Sequence, residues 1–160
     1  MTRWLYPYGT TQAASLGLLA LRIVVGAAFI QHGWGKIQHP TDWQQLGGMP
    51  NPDVAPLQVL AALAEFGGGI ALVLGLLTPL AALGILVTML VAIFKVLPPW
   101  RVPFVNDPGK PSYELNLVYV ACTLVLMLAG PGRFSLDALL AGRRRSPAAS
   151  VDPTGRGSVC

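Results

Sequence analysis

Four runs of apolar residues dominate the chain, at Ala13–Ile30, Val54–Leu77, Pro79–Leu97 and Tyr113–Gly130. Each can span a hydrocarbon layer, which takes a helix of roughly 20 residues. The breaks between them carry stop signals. Leu76-Leu77-Thr78-Pro79 is the only turn between the second and third runs, and it suits a tight antiparallel hairpin. Pro79 fits the first turn of a helix, where a missing N–H is no loss. Pro98-Pro99 ends the third run and Gly130-Pro131-Gly132 ends the fourth. The pattern predicts an all-α fold, a transmembrane four-helix bundle. Residues 1–12 form an N-terminal segment, 13–141 the membrane domain and 142–160 a Pro/Gly/Ser-rich disordered tail. The first run has some marks of a signal peptide, but its length and Arg22 predict an uncleaved span.

Composition sharpens the class. Of 160 residues, 53% are hydrophobic and 11% charged, against about 25% charged in ordinary soluble domains. Mean hydropathy is +0.57. The net charge of +4 comes from arginines gathered near the C-terminal end. That is no groove-sized basic face, so nucleic acid is excluded as a partner. The lipid bilayer is the expected partner, with anionic headgroups for the arginines.

Charges inside the apolar runs are the most informative residues. A charge at the centre of a bilayer costs roughly 2.5–3.5 kcal/mol on insertion scales, so it faces a bundle interior or a cavity. Arg22 sits near the middle of the first run and Glu65 near the middle of the second. Counting from the span ends puts both near the midplane and predicts a structural ion pair, Arg22 with Glu65. His32, Lys36, Lys95 and Glu114 form a second tier near the outer surface. Residues three, four or seven apart share a helix face. Arg22, Gly26, Phe29, Gly33 and Lys36 share one on span one. Ala61, Ala62, Glu65, Gly68 and Gly69 share one on span two, and Gly84, Thr88, Ala92 and Lys95 one on span three. Small residues mark close helix contact in lipid, so these faces are expected to pack. Asn116, Tyr119 and Thr123 make a stripe on span four that suits interhelical hydrogen bonding.

Each of these residues also has a purely structural use. Arg22 and Glu65 can close the bundle and do nothing else, and lysines at span ends commonly snorkel to the interface. Trp4, Tyr6 and Tyr8 on one side, with Trp34, Trp43, Trp100 and Tyr113 on the other, suit aromatic belts. Basic residues set orientation. Arg3, Arg133, Arg143, Arg144, Arg145 and Arg156 flank the termini, and Lys36, Lys95, Arg101 and Lys110 lie on the opposite side. Both termini are expected in the cytoplasm, with the chain multi-pass in the cell (inner) membrane. The stretches from Gly33 to Pro56 and from Pro98 to Ser112 lie on the outer side. Trp43, Leu46 and Met49 could lid a cavity there, and Trp100, Arg101, Phe104 and Asp107 could help to roof it. An ordinary amphipathic surface loop is the simpler reading of the first stretch.

Three blocks resemble the DoxX family of small integral membrane proteins. They are Gly26-Ala27-Ala28-Phe29-Ile30-Gln31-His32-Gly33-Trp34-Gly35-Lys36, then Glu65-Phe66-Gly67-Gly68-Gly69 running on to Thr78-Pro79, then Tyr113-Glu114-Leu115 with Gly130-Pro131-Gly132-Arg133-Phe134-Ser135-Leu136-Asp137. The resemblance covers roughly Leu16 to Leu140 and implies a four-helix membrane protein. Relatives are linked to quinone-coupled oxidation of sulfur compounds and to membrane-associated oxidative-stress complexes. The family's motif positions fall here on His32, Gly33, Lys36, Glu65, Gly68, Gly69, Glu114, Gly130, Gly132, Ser135 and Asp137. The candidate ligand-binding residues are His32, Lys36, Glu65 and Glu114. His32 and Lys36 can donate to a quinone carbonyl or an oxyanion, and Glu65 or Glu114 could pass a proton. Ser135 can cap a short helix that bears Leu136, Leu139 and Leu140. Arg133 and Asp137, four apart, can pair on it.

Other chemistries lack their residues. A haem held by two imidazoles needs two deep histidines, and only His32 and His39 exist. Cys122 and Cys160 form no Cys-x-x-Cys. There is no zinc-ligand spacing, and Gly67-Gly68-Gly69 lies inside an apolar helix rather than a phosphate loop. The expected function is a redox-associated membrane subunit that binds quinone or a small substrate, with electrons carried by a cofactor or by partner oxidoreductase subunits. A small-solute transporter, as a homo-oligomer, and a ligand-free scaffold for partner oxidoreductases are the alternatives.

Overall fold

A computed structural model describes residues 11–41, 55–96, 99, 101–105 and 111–143. The expectations for Trp4, Tyr6 and Tyr8, for Trp43, Leu46 and Met49, for Trp100, Asp107 and Lys110, and for the arginines and tail beyond residue 143 lie outside the described residues.

Four antiparallel helices and a short fifth account for the described chain. Thr11 starts α1 (Gln12–Gln38) by accepting the Ala14 amide on its hydroxyl at 3.2 Å, which satisfies a donor the first helical turn leaves free. At 27 residues, α1 is about 40 Å long and runs well past the expected end at Ile30. Then come α2 (Ala55–Leu74), α3 (Thr78–Val91), α4 (Glu114–Ala129) and α5 (Leu136–Arg143). A π-helical turn, Ala92–Val96, continues α3. With it, α3 joins α1 and α2 as long and apolar enough to cross a membrane. The 16 residues of α4 reach only about 24 Å.

Glycines make the two sharp reversals. Gly75 at φ 67° turns α2 toward α3, and Gly130 at φ 78° and Gly132 at φ 75° end α4. Leu77 also sits at φ 47°, a conformation that costs a side-chain-bearing residue about 1–2 kcal/mol.

Neighbouring helices pack in sequence order. The α1–α2 pair is the most extensive and the α1–α4 seam the least. The α1–α2 pair is close because glycines face backbone. A Cβ on Gly26 would stand 2.7 Å from the Gly69 carbonyl oxygen, and one on Gly33 would stand 2.5 Å from the Phe66 amide nitrogen. Phe29, Leu72, Ile85 and Leu126 are fully enclosed, whereas Leu57, Leu60, Leu80 and Leu128 point outward. An apolar exterior around a core of this kind is the arrangement a bilayer requires.

The expected faces hold on α1 and α2 but not on α3. Ala82, Ile85, Met89 and Ile93 line the buried side of that helix, while Gly84, Thr88 and Ala92 are half-buried and Lys95 is exposed. Bulky side chains fill the wider gap there. The α2–α3 approach is closest at Gly68, where a Cβ would stand 3.3 Å from Ile85, and at Gly84, where one would stand 3.4 Å from Ala64.

Candidate functional site

The bundle has two charged centres. The upper end is taken as the one carrying Gln38, Ala55, Val96 and Glu114, and the lower end as the one carrying the α2–α3 turn and α5.

Arg22 and Glu65 are not a pair. The partner of Glu65 is Lys36, whose ammonium donates to both carboxylate oxygens at 2.6 Å. Glu65 is 3% exposed and Lys36 26%, so the pair is sunk at its acidic end and open at its basic end. Two physical causes separate Arg22 from Glu65. With Gly26 beside Gly69, Arg22 comes level with Val73, about 12 Å along the axis from Glu65. Moreover, every helical side chain leans toward its own helix's N-terminus. In an antiparallel pair this sends Arg22 down and Glu65 up. The same lean brings Lys36 back down from the end of α1 onto Glu65.

Beside this pair lies a cavity of about 190 Å³ at the upper end of the bundle, bordered by all four of its helices. Phe29, His32 and Lys36 of α1, Glu65 of α2, Met89 and the π-turn residue Ala92, and Leu115, Asn116 and Tyr119 of α4 line it. Its rings are in contact. Phe29 and Tyr119 meet edge-on at 4.9 Å, and His32 lies 6.0 Å from Phe29 and 6.3 Å from Tyr119. The described residues offer the His32 ring and the Tyr119 hydroxyl no hydrogen-bond partner. Asn116 donates to the Met89 sulfur at 3.5 Å, and a thioether is a weak acceptor. The wall therefore combines an internally neutralised ion pair with polar groups that have capacity to spare.

Three of the four candidate residues, His32, Lys36 and Glu65, meet at this cavity. Glu114, the first residue of α4, does not line it, and Leu115 and Asn116 take that place. Met89 and Ala92 carried no polar signal that could have marked them. Asn116 and Tyr119 were visible as a stripe, but their expected use was helix–helix bonding. Thr123 fulfils no such use, because it donates to the Tyr119 and Val120 carbonyls of its own helix at 2.8 and 3.0 Å.

The lower centre is knit to backbone. Asp137, at the start of α5, accepts the Leu77 amide at 2.8 Å and the Thr78 amide at 2.9 Å, and its own amide donates to the Gly75 carbonyl at 2.9 Å. It thereby caps α3, whose own preceding residue is a leucine and cannot. Asp137 is thus not paired with Arg133, which is exposed and lies ahead of the helix. The capping role of Ser135 holds, since its hydroxyl accepts the Ala138 amide at 3.1 Å. Arg22 is fully buried and donates to the Phe134 carbonyl, while Asp137 acts on it electrostatically. A Cβ on Gly75 would fall on the Arg22 guanidinium, so only glycine fits the turn beside it.

The geometry can be set beside known proteins. No solved structure matches. The inner membrane protein YqjF of Escherichia coli (strain K12) is 33% identical over 126 residues, covering 78% of this chain and 92% of that protein. The DoxX family model matches residues 17–98, just over half of the chain, a stretch that includes His32, Lys36 and Glu65. With a helical membrane bundle, a family model over half of the chain and a relative covered over 92% of its length, the chain belongs to the DoxX family.

Proposed function

We propose that the upper cavity holds the head of a small uncharged ligand, with quinone the leading class, and that the chain is a redox-associated subunit of the inner membrane. The observation that carries this reading is the Lys36–Glu65 pair beside an open cavity. A carboxylate already satisfied by an ammonium asks no charge of a ligand. His32, Tyr119 and Asn116 supply hydrogen bonds at the rim of the same space, and Phe29 and Tyr119 supply ring faces. At about 190 Å³ the space is smaller than the roughly 300–1,000 Å³ of pockets for drug-sized molecules. It suits one ring. Glu114, next to the lining, is a secondary candidate at its edge. The chain's own residues bind and orient; the ligand or a partner subunit supplies electron transfer.

The upper end corresponds, in this reading, to the outer face, with both termini cytoplasmic. Purification with native lipid followed by extraction tests the site. Bound quinone is expected with the unaltered chain and should fall sharply in His32→Ala and Glu65→Gln. Equal retention in all three proteins would remove the proposal.

A further inference from the structure

We infer that the cavity is entered sideways, from the lipid, through the upper part of the α1–α4 seam, and that its ligand is a ring-headed molecule whose apolar tail stays outside in the membrane. This deepens the ligand reading above and rests on it. Three observations lead there. The space takes a ring but no long tail, so any tail must lie beyond the lining. The seam is the least packed contact between neighbouring helices, and where the cavity borders it a ring contact, His32 with Tyr119 at 6.3 Å, bridges the two sides. The lining residue Leu115 is 54% exposed. An apolar side chain at a mouth suits passage to acyl chains rather than to water. Below the mouth, the Phe29–Tyr119 and His32–Tyr119 ring contacts close the seam, so the opening is confined to the part above them, beside Leu115.

The test uses the full chain in nanodiscs of phosphatidylcholine and phosphatidylglycerol. The probes are a decyl-substituted benzoquinone and the same ring without the chain. The decyl probe is expected to bind. Leu115→Trp should slow its association about tenfold, as barriers on the entry path do. Leu117→Trp, an exposed position on the same helix outside the lining, should leave the rate unchanged. Binding of the bare ring without binding of the decyl probe would overturn the portal and leave the site standing. So would an unaltered association rate in a folded Leu115→Trp protein. If neither probe binds the unaltered chain, the ligand reading itself falls and takes the portal with it.

Discussion

At the lower end, Arg22 and Asp137 are enclosed among backbone groups of the α2–α3 turn and the α5 approach. At the upper end, Glu65 and Lys36 satisfy each other and border open space. Both centres bury charge in an apolar bundle, yet their surroundings differ. The lower carboxylate is fully used in holding the α2–α3 turn. The upper pair leaves its neighbours His32, Tyr119 and Asn116 with bonding capacity unspent. A buried charge in a membrane protein is a weak guide to function until its partners are known; unspent donors that line open space are a stronger one, whereas the Nε and Nη1 of Arg22, unpartnered among the described residues, are enclosed.

The comparison breaks most visibly at Asp137. Asp137→Ala strips the cap from α3 and leaves the Arg22 guanidinium buried without its nearby carboxylate, so a loss of about 4 kcal/mol is expected, read as a lower thermal midpoint in detergent. Gly33→Val comes next. Its side chain would press on the Phe66 backbone one turn below Lys36, at a cost of about 3 kcal/mol, and would loosen the Lys36–Glu65 contact as well as the fold.

Asn116→Leu sharpens the contrast because stability and binding should move oppositely. Among the described residues its amide has only a thioether acceptor, so removing it should leave stability level or raise it by about 1 kcal/mol, while quinone retention falls. A comparable loss of stability would mean the amide is structural. The smallest effect is expected at Leu77→Gly. Relief of the left-handed backbone, offset by greater freedom of the unfolded chain, should raise stability by about 0.5 kcal/mol. A fall would show that the exposed Leu77 side chain contributes more than its strain.

Much of the fold was legible in the residues, and the pairing of its charges was not. The apolar runs, Pro79 and Gly130-Pro131-Gly132 mark the four long helices, and the glycine spacing on α1 and α2 marks the faces that touch. What the spacing could not set was the register between α1 and α2, since the segment joining them is too long to fix it. Ending the first span at Ile30 rather than Gln38 shifted Arg22 to the level of Glu65. Helix direction was the neglected signal, because the lean of side chains toward their N-termini already separates those two and joins Lys36 to Glu65. Asp137 was likewise readable in hindsight. A helix that starts at Thr78-Pro79 after a leucine has no cap of its own, and a carboxylate from elsewhere in the chain must supply one. The cavity was legible only in part, since Met89, Ala92 and Leu115 are apolar residues like the rest of the bundle.

A pair of double-mutant cycles tests the pairing most directly. Lys36→Met and Glu65→Gln should couple by about 1–3 kcal/mol, while Arg22→Met and Glu65→Gln should add within about 0.5 kcal/mol. Strong coupling of Glu65 to Arg22, with none to Lys36, would contradict the account.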